Sequence, residues 1–146
     1  MTAGYSGTPL VQKLGIKPHW RVRPLGAPAG YVALLAPLPE GVRLVSSPRQ
    51  RVEMIHFFTT RAGELAKRLP ALREQIEEDG TIWVSWPKRS SKVPTDVTED
   101  VVRREALRGE LVDVKVCAVD ETWSGLKLVV RLKNRRKKIA SPKGTR

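Results

Sequence analysis

The chain has 146 residues, 40% hydrophobic and 29% charged, with a net charge of +12; this suits one domain with a single core and excludes a fibrous or wholly disordered chain. No apolar run reaches the ~20 residues that span a bilayer, residues 1–7 hold no apolar signal core, and the single cysteine, Cys117, excludes an internal disulfide, so a cytoplasmic setting is expected. The charge is uneven, +6 over residues 1–52, −2 over 53–130 and +8 over 131–146, which leaves a nearly neutral middle between basic ends.

Thr8-Pro-Leu-Val-Gln-Lys-Leu-Gly15 predicts a short helix, with Thr8 as cap, Pro9 as first residue and Gly15 as stop. Residues 20–25 predict a strand, the Gly26-Ala-Pro-Ala-Gly30 turn opens a second helix over 31–35, and 42–45 predict another strand. The nearly continuous apolar run at 52–58 predicts a strand covered on both faces, as in a parallel sheet. Thr59 or Thr60 then caps a helix with the stripe Leu65, Leu69, Leu72 and Ile76, kinked or divided at Pro70 and ended by Gly80.

The stretch Gly80-Thr-Ile-Trp-Val-Ser-Trp-Pro-Lys-Arg-Ser-Ser-Lys92 predicts the central strand. Ile82, Val84 and Trp86 point one way, Trp83 and Ser85 the other, and Pro87 ends the ladder. Asp96-Val-Thr-Glu99 predicts a capping box for a helix running to about Arg108. Two strands follow, 111–119 with Val112, Val114, Val116 and Ala118 on one face, and 126–132 with Leu126, Leu128, Val130 and Leu132 on one face; a short loop makes them antiparallel. Residues 133–146 show no apolar pattern and predict a disordered basic tail after one domain at 1–132. The expected fold is α/β, a single Rossmann-like, mostly parallel sheet with a C-terminal antiparallel hairpin.

Ligands of open α/β sheets sit outside the carboxyl ends of the strands. Lys88, Arg89, Ser90, Ser91 and Lys92 follow the central strand with cations and hydroxyls, so they are the first candidate site, for a phosphate. Trp123, in the acidic loop at 120–125, is a candidate partner contact, kept separate from Lys88. Arg135, Arg136, Lys137 and Lys138 form a basic run suited to nucleic acid. His56 reads as a core histidine, Cys117 as an inert strand residue, and Ser85-Trp-Pro-Lys88 as a chance match to an acyl-transfer motif. One cysteine and two histidines without ligand spacing exclude a zinc site.

The element order resembles a reduced class I methyltransferase core. Thr8-Pro-Leu-Val-Gln-Lys-Leu-Gly-Ile-Lys-Pro18, Trp83-Val-Ser-Trp-Pro-Lys88, Thr98-Glu-Asp-Val-Val-Arg103, the stretch 112–127 and Val129-Val-Arg131 resemble a family of small bacterial proteins of unknown function, over roughly residues 6–132. The methyltransferase resemblance implies an S-adenosylmethionine loop at Gly26 and Gly30. It also implies an acid ending the first strand, where Arg23 and Pro24 stand, and a ribose-binding carboxylate after the second, where Ser46 and Ser47 stand. One strand–helix unit is missing. The expected role is therefore a non-catalytic binding or adaptor domain without a cofactor, engaging a polyanion such as nucleic acid or a phosphorylated ligand. The alternative is an S-adenosylmethionine-dependent methyltransferase with an atypical cofactor loop. The sequence leaves the oligomeric state open.

Overall fold

Breakers and apolar spacing divide the chain into short alternating elements. In the computed structural model, which describes residues 7–47 and 49–137, these are α1 (Leu10–Leu14), β1 (Arg21–Leu25), α2 (Tyr31–Leu35), β2 (Arg43–Leu44), β3 (Val52–Phe58), α3 (Ala62–Arg73), β4 (Ile76–Pro87), α4 (Glu99–Arg108), β5 (Leu111–Ala118) and β6 (Trp123–Val130). Single 3-10 turns follow at Arg89–Ser91 and Leu132–Asn134.

The strands form a six-stranded sheet in the order β2-β1-β3-β4-β6-β5. The first four are parallel, and β6 runs antiparallel to both β4 and β5. The mostly parallel sheet with its antiparallel hairpin is thus the expected fold. Leu65, Leu69 and Leu72 of α3 and Val102 and Ala106 of α4 bury against Ile55, Phe57, Ile82, Val84, Leu126 and Leu128 on one face. Leu10 and Leu14 of α1 and Tyr31 and Leu35 of α2 bury against Val22, Met54, Phe58 and Trp83 on the other. Because β3 and the second half of β4 supply both faces, Met54, Ile55, Phe57 and Phe58 of β3 and Ile82, Trp83, Val84 and Trp86 of β4 are all buried.

Several boundaries differ from expectation. The helix α3 runs unbroken through Pro70, which stands exposed on its outer side. It ends at Arg73, and Ile76 already belongs to β4; the residue buries in the same core as the leucine stripe, which is why its spacing imitates a helix. Gly80 lies within β4, where Ile76 and Thr81 pair with Val52 and Met54, so the longer strand bulges. A Cβ there would sit 2.9 Å from the Glu77 carbonyl oxygen and 3.0 Å from that of Glu53.

The caps differ too. The α4 cap is Thr98, whose hydroxyl accepts from the Val101 N–H at 3.2 Å. Asp96 instead accepts from the Ala62 N–H at 2.7 Å, tying this loop to the start of α3. In β5 the register shifts between Asp113 and Lys115. Val112 then pairs with Val129 and Val116 with Leu126, on opposite faces, which breaks the expected valine alternation.

Candidate functional site

The chain leaves β1 for β2 on one side and returns to β3 on the other, so the strand order reverses between β1 and β3. In an open α/β sheet such a switch point opens a crevice at the carboxyl ends, and ligands bind there. Gly26 follows β1 with φ 67°, and a Cβ on it would lie 2.7 Å from the Phe58 carbonyl oxygen at the end of β3. Glycine at 26 is therefore required by the close approach of two strand ends. Gly30 is also left-handed, with φ 85°, but a Cβ there meets nothing within 4 Å. Of the two expected cofactor glycines, Gly30 is the one that opens onto space.

Aromatic rings line the floor beside this point. Phe58 stacks on His56 at 4.2 Å between centroids and meets Tyr31 and Trp123 edge-on at 5.4 and 5.1 Å. Beneath them runs a buried polar chain. Tyr31 Oη lies 2.7 Å from His56 Nδ1, and His56 Nε2 lies 2.8 Å from Ser85 Oγ. A neutral imidazole offers one donor and one acceptor, which satisfies both hydroxyls. Burial holds the imidazole down to a pKa of about 3, so it is neutral at physiological pH, and burial also raises that of the Tyr31 phenol. His56 is the satisfied core histidine expected from its apolar run. Ser85 is fully buried and hydrogen-bonded to it, so no substrate reaches its hydroxyl.

The candidate loop after β4 stands one strand beyond the switch point. Its Ser91 hydroxyl donates to the Lys88 carbonyl at 2.6 Å and closes a tight turn over Arg89–Ser91; Lys92 ends that turn with φ 63°. Arg89 and Lys92 line a cavity of about 400 Å³ with Trp86, Val93, Thr95 and Thr98, while Ser90 is exposed. The structure joins the two regions that the sequence kept apart. Pro87 pairs with Trp123, and the Lys88 N–H donates to the Thr122 carbonyl at 2.7 Å. Trp123 is half-buried, its ring against Phe58.

The basic run is partly engaged. Arg136 pairs with Glu74 at 2.8 Å and Glu110 at 3.6 Å, its N–H donates to Glu78, and Arg135 Nε donates to the Val130 carbonyl at 3.1 Å. Lys137 is exposed, and Lys138 lies outside the described residues. Sequence reasoning missed the Tyr31–His56–Ser85 chain and the approach of Gly26 to Phe58. Both join residues distant in sequence, and no local pattern encodes them.

The residues fit S-adenosylmethionine in part. Gly26 and Gly30 are exposed at the switch point, with open space beside Gly30 alone, and Ser46 and Ser47 after β2 are exposed. No carboxylate follows β2. Arg23 is buried there instead, donating to the Ser46 carbonyl at 3.4 Å and to Gln75. Burial, followed by nearby Arg68, lowers the Arg23 pKa. Among the described residues, no group of His, Cys, Asp and Glu side chains forms a metal site. None of their helices is long and apolar enough to cross a membrane.

This arrangement is a Rossmann-like, methyltransferase-like fold. It is similar to a putative type 11 methyltransferase from Sulfolobus solfataricus, with a TM-score of 0.61 at 11% identity over 90% of this chain and 94% of that one. It is similar also to the ribosomal protein L11 methylase of Lactobacillus delbrueckii subsp. bulgaricus, with a TM-score of 0.57 at 13% identity over 84% of this chain and 75% of that one. Fibrillarin of Aeropyrum pernix, in complex with natively bound S-adenosyl-L-methionine, gives a TM-score of 0.51 at 16% identity over 86% of this chain and 70% of that one. No protein-family model and no curated protein matches the sequence. These neighbours correct the expectation of a non-catalytic adaptor without a cofactor and favour the methyltransferase alternative.

Proposed function

We propose that the chain is an S-adenosylmethionine-dependent methyltransferase whose cofactor lies over Gly26 and Gly30 at the switch point of the sheet. The observation that carries this reading is Gly30, a left-handed glycine that opens onto space where the strand order reverses. When bound, the cofactor supplies an electrophilic methyl group on a sulfonium. The exposed backbone at Gly30 lets a ligand approach closely, and the Ser46 and Ser47 hydroxyls serve the ribose in place of a carboxylate. Phe58 and Trp123 wall the inner side against water, and neutral His56 anchors the floor without adding charge. The resemblance to small bacterial proteins and the cytoplasmic setting expected from the single cysteine belong to the same proposal.

Isothermal calorimetry with S-adenosylmethionine tests it. Saturable binding in the micromolar range, about −8 kcal/mol, is expected. Gly30→Trp fills the open space and should weaken binding at least about tenfold while the circular-dichroism spectrum stays native. No binding heat from S-adenosylmethionine or S-adenosylhomocysteine, or unchanged affinity in Gly30→Trp, overturns the reading.

A further inference from the structure

On the face that carries α1 and α2, the outer hairpin has no covering helix, and lysines gather there. Lys115 of β5 stands directly opposite Lys127 of β6, and Lys127 in turn pairs with Trp83 of β4. Like charges directly opposed in a sheet destabilise it. Lys13 of α1 reaches across, donating to the Ala118 carbonyl at 2.9 Å. Lys17 acts on Lys127 from the loop after α1, and Lys88 acts on Cys117 from the end of β4. Burial, then Lys115 and Lys17, lowers the Lys127 pKa, and Cys117 feels Lys13, Lys115 and Lys88.

Lys17, Lys88, Lys115 and Lys127 make no ion pair with any described residue; the ion pairs seen, from Arg21–Glu53 to Arg136–Glu110, are made by arginines. The nearby Asp120 is turned onto its own loop, accepting from the Thr122 and Trp123 N–H groups at 2.8 Å.

We propose that this face is a nucleic-acid docking track, on which Lys17, Lys127, Lys115 and Lys88 neutralise successive phosphates and lead the strand toward Trp123 at the carboxyl ends. Charge complementarity names the occupant: a cationic strip needs a repeating anion, and ammonium groups on flexible stems are point-charge phosphate binders. Of the large exposed apolar residues only Val114 and Val116 lie near these lysines, beside Lys115; Val116 pairs with Leu126, which buries on the opposite face, so the strip has no aromatic or leucine anchor for a lipid surface. Half-buried Trp123 stands at the end of the track, where it pairs with Pro87 beside Lys88. The bound nucleic acid is the methyl acceptor only if the proposed function holds, and in that respect the inference rests on that reading.

Fluorescence anisotropy with a labelled duplex of about 20 base pairs, DNA and RNA in parallel, tests the track across salt concentrations. Each phosphate contact adds about 0.9 to the slope of log affinity against log salt for duplex DNA. The Lys115→Gln, Lys127→Gln double variant should lose roughly tenfold in affinity at about 0.1 M salt, and its slope should fall by about 1.8. Arg104→Gln with Arg108→Gln removes the same charge from the opposite face and should leave the slope unchanged. Lys17→Gln, in a loop, should lower the slope by about 0.9 if the strand double variant fails to fold. Equal slopes in the two double variants, or equal binding of a poly-glutamate peptide, overturn the proposal. If S-adenosylmethionine fails to bind while the lysine variants lose slope, the methyltransferase reading falls and the docking track stands. If the cofactor binds and the slopes do not change, the reverse holds.

Discussion

The two faces of the sheet handle positive charge in opposite ways. On the side of α3 and α4, arginines are locked into carboxylates. Arg73 is only 3% exposed and holds Glu78 at 2.9 Å and Glu110 at 2.8 Å. Arg103 joins Glu99, Asp100 and Asp113, which ties α4 to β5. Arg21 bridges Glu53 and Glu77 between neighbouring strands. A planar guanidinium suits this use, because it grips two acceptors at once. On the side of α1 and α2, lysines oppose one another across the hairpin, and the core is stapled by neutral groups, Trp83 Nε1–H donating to the Leu14 carbonyl and His56 linking Tyr31 to Ser85. One face uses charge to hold itself together, and the other keeps charge available.

The largest effects should separate the faces by their salt dependence. Trp83→Ala removes a fully buried indole and its hydrogen bond to α1, and should cost about 4 kcal/mol at any ionic strength. Arg73→Ala leaves Glu78 without its chief partner and should cost about 3 kcal/mol. Urea melts at low and high salt read both. A Trp83→Ala loss that shrinks with salt would erase the contrast.

Acid should act next on the neutral staple. Unfolded, His56 titrates near its ordinary 6.5; folded, burial holds it at about 3. Between these values the unfolded chain binds the extra proton, so His56's contribution is complete above about 6.5 and is lost as pH falls toward about 3. Glu78, held down to about 2 by the Arg73 hydrogen bond, contributes above its ordinary 4.5 and is lost as pH falls to about 2. His56→Phe should cost about 2 kcal/mol at neutral pH by stranding the Tyr31 and Ser85 hydroxyls. It should also flatten the stability curve between about 6.5 and 4.5 while leaving the carboxylate loss below. Melts at stepped pH in which the variant keeps the full wild-type slope above 4.5 would show that the imidazole is not the titrating group.

How far the sequence reveals this contrast depends on the range of the interactions. The parity of Ile82, Val84 and Trp86 against Trp83 and Ser85 is a local signal, and it places the central strand and both of its faces correctly. Leu126, Leu128 and Val130 do the same for the last strand, but that strand runs Trp123–Val130, and the expected fourth member of its face, Leu132, is exposed in the turn beyond it. The candidate site was less legible. Which strand ends meet depends on where the order reverses, and that is set by the crossing from β2 to β3, a long-range fact. Lys88 therefore drew attention through its composition, while Gly30, an unremarkable turn glycine in the sequence, holds the open position. The Lys115–Lys127 opposition was hidden by the register shift after Asp113, which a strict alternation cannot anticipate.

The smallest effect bears on the lysines themselves. If Lys127 served the fold, removing its charge would weaken the hairpin. The register says otherwise, because its ammonium faces that of Lys115 and is partly desolvated over Trp83. Lys127→Met keeps the aliphatic stem and deletes the repulsion, so it should stabilise the protein by about 0.5 kcal/mol at low salt. The gain should fade toward 1 M salt, where the screening length shrinks to about 3 Å. Differential scanning calorimetry at the two salt concentrations resolves a shift of about 1–2 °C for a chain of this size. A lower melting temperature at low salt would make Lys127 a structural residue and remove the cost that sets this face apart. A higher one would mean that the hairpin retains a charge which weakens its own folding, and that the charge is directed at something outside the chain.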